Sequence, residues 1–472
     1  MTNVKKPQVR FAPSPTGQLH LGSARTALFN FLFAKHYNGL FYLRIEDTDR
    51  ERSKQKYVDQ ICSSLAWLGL VWDGEPLFQS TRFEVYQSAI QSLLNKNSAY
   101  RCFCSKDVLE TGRAEGSFQY PGTCMNLPEE DIKMNLNSGK DFVVRLRIQK
   151  GETTFDDLIY GPVHVQHEEI DDFIIARSDG HPTYNLTAVI DDHEMEITHV
   201  IRGEDHISNT PKQILIFKAL DYEIPQFAHL PMILGPDKKR LSKRHSAPGV
   251  QQFKHNGYLP DALLNYLALL GWNPGTEQEI FTLDEMITAF DFDHVHKKGA
   301  VYDDQKLAWI SGQHMMRLGT ANILEGIHEI DPDWGKGFET HYLYAVLEQL
   351  KQRSKSLQDF MDQSTYFFSD PESYDKKSSQ KNWKDEGVNT LIKAYIRKLE
   401  SNENWDGDII ESNLRKIAED HNISAGKMIH PTRLAVSGVA HGPSLFALME
   451  LLGKDVCIRR LKKALDKFPL TS

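Results

Sequence analysis

The apolar positions of this chain fall into short continuous runs and into helical spacings, and their order predicts an architecture. Val9 to Ala12 is an apolar run that predicts a buried strand, broken by Pro13, Pro15 and Gly17. From Gly22 the spacing turns helical, with Ala24, Ala27, Leu28, Phe31 and Leu32 on or near one face. Leu40–Ile45 predicts a second strand, followed by amphipathic helices over Lys54–Leu70 and Arg82–Leu94, joined by the turn at Asp73-Gly-Glu-Pro. Residues 141–148 and 162–166 alternate like strands around a turn at Tyr160-Gly-Pro, and Asp172–Arg177 follows. Thr183–Ile190 resumes buried structure, His199–His206 reads as a strand ending in a polar cluster, and Asn209-Thr-Pro opens a helix to Leu220. A first sheet is thus interrupted by an α+β insertion and then resumed. Leu259–Trp272 is a buried helix with Pro260 in its first turn and Gly271 at its end.

Beyond about Gly319 the pattern is mostly helical. Tyr342–Arg353 and Val388–Leu399 carry helical periodicity, and the polar stretch Ser369–Gln380 reads as a loop. Pro431–Gly438 reads as a short apolar segment, His441-Gly-Pro443 as a turn, and Asp455–Leu465 as a basic terminal helix. The fold class expected is α/β: a split Rossmann-like domain with an α+β insertion, followed by all-α C-terminal domains.

Composition adds limits rather than detail. With 472 residues, 40% hydrophobic and 25% charged, the chain is of ordinary globular type and too long for one core. No apolar run approaches the roughly 20 residues needed to span a bilayer. The first residues lack the apolar centre of a secretory signal, so the expected location is the cytoplasm. Five cysteines, an odd number, argue against a disulfide framework. A net charge of −9 argues against nonspecific coating of nucleic acid but leaves room for a local basic groove.

Three stretches carry candidate chemistry. The strand, the small-residue loop and the helix that begins near Gly22 bring backbone N–H groups and a positive helix end to one point, an anion site for which phosphate is the usual guest. His20 sits where loop meets helix, either as a phosphate contact or as a plain helix cap. Glu46 follows the second strand and suits a ribose hydroxyl, a metal or an ammonium group; Asp47 and Asp49 read equally as functional groups or as caps. Cys102, Cys104 and Cys124, with Tyr120, could complete a tetrahedral zinc site of three thiolates and a phenolate, or remain three reduced thiols. The basic run Leu234–His245 contains Ser242, Lys243 and Arg244 and is followed by Gly249. It reads as a solvated face or as a cationic, hydroxyl-bearing loop for a transferring phosphoryl group.

Taken together, these stretches resemble one family. Pro13-Ser-Pro-Thr-Gly-Gln-Leu-His-Leu-Gly-Ser23 resembles the "HIGH" signature of class I aminoacyl-tRNA synthetases, and Arg240-Leu-Ser-Lys-Arg244 their "KMSKS" loop. Arg177-Ser-Asp-Gly-His-Pro-Thr-Tyr-Asn-Leu186 and Val200-Ile-Arg-Gly-Glu-Asp-His-Ile-Ser-Asn-Thr210 look like the bacterial glutamyl-tRNA synthetases. The similarity runs on through Asn265–Trp272 to Pro431–Gly438 and His441-Gly-Pro443.

The resemblance implies an ATP-dependent ligation of L-glutamate to tRNA through glutamyl-adenylate, with release of pyrophosphate and AMP. It implies a catalytic domain in two halves, 1–98 and 183–249, around an acceptor-binding insertion at 99–182. A helical stem-contact domain at 250–320 and a helical anticodon-binding domain at 321–472 would follow. His20, Ser242, Lys243 and Arg244 are the implied catalytic residues. Pro13, Gly17, His20, Gly22, Ser23, Arg240 and Lys243 are the implied ATP contacts, with Mg²⁺ accompanying ATP. Arg10 would pair the glutamate side-chain carboxylate, Ser14 and Glu46 would hold its amino group, and Tyr184, Arg202 and His206 would line the pocket. Arg240 replaces the usual leading lysine, and Ser23 the last histidine of the first signature. Ala188 stands where some relatives have an asparagine.

For the metal, some members have a Cys-X-His where this chain has Asn126 as the last residue. Tyr120 and Cys124 instead resemble the truncated glutamyl-queuosine enzymes, which lack the helical tail found here. A structural Zn²⁺ on Cys102, Cys104, Tyr120 and Cys124 is implied. The partners implied are tRNA-Glu, with tRNA-Gln left open, glutamate and ATP. The chain is expected to be monomeric and without a membrane. Competing readings are a glutamyl-queuosine or glutaminyl enzyme, a small-molecule nucleotidylyltransferase, and an inactive tRNA-binding relative. The tail argues against the first and third of these. Pro-Ser-Pro-Thr-Gly in place of Pro-Glu-Pro-Asn-Gly argues against the second. Intact His20, Lys243 and Arg10 argue against the last.

Overall fold

A computed structural model of the chain describes residues 6–49, 51–105, 120–241, 249–384 and 386–468. It divides into two compact units, residues 1–254 with 263–304, and residues 255–262 with 305–472. The stretch 250–320, expected as one helical domain, is therefore shared between them.

The first unit opens with β1 (Gln8–Phe11), α1 (Leu21–His36), β2 (Leu40–Ile45), α2 (Gln55–Trp67), β3 (Leu77–Phe78) and α3 (Phe83–Asn95). β1 pairs in parallel with β2 from Gln8↔Leu40 to Phe11↔Leu43, and β2 with β3. Helices cover parallel strands on both faces, which is why these strands read as continuous apolar runs. Val9, Phe41, Leu43 and Ile45 are fully buried. The turn into β2 needs a glycine: the Leu40 amide reaches the Pro7 carbonyl at 2.8 Å, and a Cβ at Gly39 would overlap that oxygen. α1 is apolar on most sides, burying Leu21, Ala24, Ala27, Leu28, Phe29 and Leu32. Its buried Asn30 donates across to the Ile201 carbonyl at 3.1 Å, which ties the helix to the second half of the sheet.

After α3 the chain continues through β4 (Ala99–Cys102), α4 (Glu129–Asn137), β5 (Val143–Leu146), β6 (Glu152–Asp157), β7 (Gly161–Gln166) and β8 (Ile174–Ala176), and the second half follows with α5 (Tyr184–Glu194), β9 (His199–Gly203), α6 (Thr210–Leu220) and β10 (Gln226–Leu230). β9 and β10 pair in parallel, and β10 then pairs with β6. The two halves meet between β1 and the start of β9, where the Thr198 amide donates to the Gln8 carbonyl at 2.9 Å and the Gln8 amide to the Thr198 hydroxyl at 2.8 Å. The sequence of neighbours is thus β3, β2, β1, then β9, β10. In such an open sheet the strand order reverses between its first and fourth strands, and ligands bind at the carboxyl ends beside that point.

The insertion is less separate than its sequence suggests. β4, β5 and β8 form a sheet of their own, but β6 and β7 form a hairpin whose first strand joins the main sheet. β6 and β10 were not anticipated. Thr153, Phe155 and Asp157 alternate inward, but Glu152-Thr-Thr-Phe-Asp-Asp is too polar to stand out as a strand.

The second unit is helical from Thr320–Ile330 to Lys454–Lys467, around a core that includes Val346, Phe360, Ile392, Tyr395, Leu434, Leu448 and Leu461. One expectation fails here, and one is extended. Ser369–Gln380 is not all loop: Asp375 caps a helix over Lys376–Asn382 by accepting from the Ser378 amide at 2.6 Å. Pro431–Gly438 lies in a helix over Gly426–Ser437 that contains Pro431. Burial of Met428, Leu434, Ala435 and Val436 outweighs the missing proline donor, and Gly438 ends the helix in the left-handed region at φ 78°. The basic terminal helix is partly structural. Arg460 is 2% exposed, and its guanidinium binds Asp370 at 2.8 Å and the carbonyls of Tyr366 and Val436 at 2.8 and 2.7 Å.

Candidate active site

The loop after β1, the start of α1 and the carboxyl ends of β1, β2 and β9 surround a cleft of about 890 Å³. Arg10, Pro13, Ser14, Gly17, His20, Gly22, Ser23, Glu46, Tyr184, Arg202, His206 and Arg240, expected from different parts of the chain, all line it. Ser242, Lys243 and Arg244 lie outside the described residues.

His20 combines both readings given above. Its Nδ1 accepts from the Ser23 amide at 3.3 Å, so it caps α1, and its ring lines the cleft. Accepting through Nδ1 places the proton of a neutral ring on Nε2. Nε2 is then the donor nitrogen of the ring, 3.3 Å from the Ser23 hydroxyl and beside a helix end that favours anions.

The floor is a buried chain of charges. Arg10 holds Asp192 at two points, Nε to Oδ1 at 2.7 Å and Nη2 to Oδ2 at 3.2 Å. Arg44 meets the same Oδ1 at 2.6 Å and turns Nη2 toward Glu46 at 3.1 Å. Burial pushes the Asp192 carboxyl up, but Arg10 and Arg44 outweigh it and hold it below the usual carboxylate range. For Glu46 the balance reverses: burial wins over Arg44 and Arg10, and its carboxyl is raised. A carboxylate held at such a site gains from a cationic guest.

Arg202 forms the opposite wall. Nε donates to His229 Nε2 at 3.2 Å and Nη2 to the Thr210 hydroxyl at 2.8 Å. His229 Nδ1 lies 2.6 Å from Asp157 Oδ2, both side chains fully buried. Arg202 Nη1 is buried with no hydrogen-bond partner among the described residues. Burial and Arg202 push the His206 imidazole down to about 4, so it is neutral near pH 7, and its Nδ1 sits 3.1 Å from the Tyr184 hydroxyl. Arg240 is mostly exposed and pairs with Asp205 at 3.1 Å.

Two carboxylates resolve as structural. Asp47 caps the turn at Ser80, accepting from its amide at 2.8 Å and its hydroxyl at 2.6 Å, and Asp49 accepts from the Arg52 amide at 3.2 Å. Sequence reasoning missed Arg44, Asp192, Asp157, Thr210 and His229. Arg44 carried a signal: a charge inside the apolar run of β2 needs a buried partner.

Outside the cleft, the sulfurs of Cys102, Cys104 and Cys124 lie within 4.8 Å of one another. The Tyr120 hydroxyl is 3.3 Å from the Cys102 sulfur and 3.8 Å from that of Cys104. Three soft thiols and a phenol converging at this spacing fit a tetrahedral zinc ion. Burial opposes ionisation at Cys102, but Tyr120 and Arg145 lower its thiol, while burial and Cys124 push Cys104 up to about 11.

A parallel sheet with a helix N-terminus at its switch point is the arrangement that nucleotide-binding α/β domains use. Residues 6–309 match the family described as "tRNA synthetases class I (E and Q), catalytic domain", and residues 320–465 match "Anticodon binding domain". The chain belongs to the class I tRNA synthetases, in their E and Q group. It is 44% identical over 467 residues to a protein named glutamate–tRNA ligase 1 from Caldanaerobacter subterraneus subsp. tengcongensis, covering 97% of each chain. To the glutamate–tRNA ligase of Legionella pneumophila it is 45% identical, covering 98% of each. A crystal structure of a glutamate tRNA ligase from Elizabethkingia meningosepticum, in complex with its amino acid, matches with a TM-score of 0.88 at 33% identity, covering 98% of this chain and 99% of that one. No helix among the described residues is long and apolar enough to cross a membrane.

Proposed function

We propose that this chain activates L-glutamate with ATP and transfers it to tRNA. The observation that carries this reading is the meeting, in one cleft, of an anion loop at a helix end with buried cations and a buried carboxylate. ATP phosphates suit the loop of Pro13, Gly17, His20, Gly22 and Ser23, with Arg240 at the rim and Ser242, Lys243 and Arg244 following it in sequence. Glutamate brings two carboxylates and one ammonium. Arg10, Tyr184 and Arg202 suit the former, Ser14 and Glu46 the latter, and His206 the wall beside Tyr184. The neutral amide of glutamine would leave a buried cation unmatched, which favours glutamate.

In the first step the α-carboxylate oxygen bonds to the α-phosphorus, and the bond to the bridging oxygen breaks. Pyrophosphate leaves with the electron pair, and a Mg²⁺ ion accompanying ATP would offset its charge. His20 Nε2–H and the α1 N-terminus stabilise the charge that builds on the phosphates. In the second step a ribose hydroxyl of tRNA attacks the acyl carbon and AMP leaves. The helical unit's match to an anticodon-binding family supports a full-length tRNA as acceptor, and argues against a tail-less queuosine-type enzyme. A Zn²⁺ ion held by Cys102, Cys104, Tyr120 and Cys124 would cross-link the segment after β4. The enzyme acts as a cytoplasmic monomer in this reading.

Glutamate-dependent exchange of pyrophosphate into ATP, measured with tRNA present, tests it against glutamine and aspartate. Exchange with glutamate alone is expected; none with glutamate overturns the reading. Charging of purified tRNA-Glu and tRNA-Gln then sets the acceptor range, and tRNA-Glu is the expected product. Lys243→Ala should abolish exchange while tRNA still binds, and unchanged exchange would remove that loop from the reaction.

A further inference from the structure

Behind the cleft, three polar side chains from three separate segments form a closed hydrogen-bond circuit around Arg202. Asp157 ends β6, His229 lies in β10 and Thr210 opens α6. All three side chains are buried. The Asp157 carboxylate, 2.6 Å from His229 Nδ1, fixes the ring proton on that nitrogen. His229 Nε2 is then an acceptor, and two donors converge on it: Arg202 Nε–H at 3.2 Å and the Thr210 hydroxyl at 3.0 Å. Thr210 Oγ1 in turn accepts from Arg202 Nη2 at 2.8 Å. The two donors share the one lone pair of His229 Nε2, the His206 carbonyl lies 3.4 Å from both Thr210 Oγ1 and Arg202 Nη2, and the guanidinium is held along one edge. Its remaining nitrogen, Nη1, is buried and unpartnered among the described residues, in a residue that lines the cleft.

We propose that His229, oriented by Asp157, is a positioning residue that aims Arg202 Nη1 at a carboxylate of the amino-acid substrate. The proposal rests on the function given above. A planar guanidinium recognises a carboxylate by the direction of its N–H bonds, so a small rotation about Nε costs binding directly. The neutral ring also has an electrostatic part: burial, and Arg202 itself, hold the His229 imidazole below its usual range and keep the acceptor lone pair available at neutral pH. An imidazolium would turn a donor toward Arg202 and break the circuit. Asp157 is kept ionised because hydrogen bonds from His229 and from the Tyr160 and Ile159 amides outweigh its burial.

Two substitutions separate the two nitrogens of the ring. His229→Asn keeps an N–H for Asp157 and removes the acceptor that faces Arg202. His229→Gln returns an amide oxygen near that acceptor's place. The full-length proteins are compared with wild type by glutamate-dependent pyrophosphate exchange with tRNA present. His229→Asn should raise KM for glutamate about tenfold or more, the scale of one unmatched buried donor, while KM for ATP stays within about threefold. His229→Gln should recover most of that loss. An unchanged glutamate KM in His229→Asn, an equal rise in the ATP KM, or a Gln variant as impaired as Asn would each overturn the proposal. If His229→Asn does not fold, Thr210→Val decides. The same glutamate-selective rise supports the circuit, and unchanged KM values overturn it. Failure of the underlying function is distinct, because then wild type itself shows no glutamate-dependent exchange.

Discussion

Arg10 and Asp192 form a two-point ion pair, at 2.7 and 3.2 Å, in which neither side chain is more than 5% exposed. Asp192 also serves Arg44, so the arginine pair keeps net positive charge for a substrate carboxylate while the Arg10 guanidinium plane is fixed by a helix residue 182 positions away. Asp192→Asn should cost about 3–5 kcal/mol of stability, because it leaves Arg10 and Arg44 buried without their shared anion. It should also raise KM for glutamate more than KM for ATP. Urea unfolding and pyrophosphate exchange check the two effects separately, and unchanged stability would reject the pair as a structural anchor.

Arg10→Ala removes the other partner. It is expected to weaken glutamate far more than ATP and to lower stability through the stranded carboxylate of Asp192. Equal loss of both substrates would reject the pocket role of Arg10.

The double duty of His20 can be split by side-chain choice. Asparagine is a strong N-cap, so His20→Asn should keep stability within about 0.5 kcal/mol while exchange falls about 100-fold or more. His20→Ala should lose the activity and about 1 kcal/mol of stability as well. Thermal melts and exchange rates on both variants test this. Full activity in His20→Asn would leave the residue as a cap alone.

Acid should weaken the helical unit through Asp370. Hydrogen bonds from Arg459 and Arg460 hold its carboxyl at about 2. A folded-state value below the unfolded one, about 3.9, gives stability that is present above about pH 4 and is lost as pH falls toward 2. Asp370→Asn should be less stable than wild type at pH 7, by about 1–3 kcal/mol, and the difference should shrink on that acid limb. Urea unfolding at pH 7, 4 and 3 gives the comparison, and a gap that stays constant with pH would exclude Asp370 as the titrating group.

For the thiol cluster, the expected result is one zinc ion per purified chain by metal analysis, and loss of that ion in Cys104→Ser or Cys124→Ser. Tyr120→Phe should release zinc to a chelator faster than wild type. Metal-free wild-type protein would retire the site.

What was legible in the sequence was what acts locally. The run Val9–Ala12, its prolines and the helical spacing after Gly22 announced β1, the loop and α1 within a residue or two, because strand, breaker and helix signals are short-range. The cleft residues were legible through their motifs. The partners that hold them were not. Asp192 meets Arg10 across 182 residues, and Asp157 meets His229 across 72. Asp157 also sits in β6, a strand too polar to declare itself, whose inward positions are set by pairing with β10. The polar helix Lys376–Asn382 was hidden in the same way, since its cap and its packing, not its periodicity, hold it. Pro431–Gly438 was legible only as a short apolar segment, because a proline hides helical continuity from local rules and tertiary burial sets it.

The hairpin of β6 and β7 bears on how this chain can be recombined with its relatives. Residues 99–182 look like a cassette that could be exchanged whole, since β4, β5 and β8 close a sheet among themselves. Yet β6 is stitched into the parent sheet through Phe227↔Asp157, and Asp157 carries the far end of the circuit that holds Arg202. A chimera cut at the ends of the insertion would therefore import a wall support of the amino-acid pocket along with the foreign segment. Clean grafts would leave Glu152–Gln166 with the host and exchange only the strands on either side.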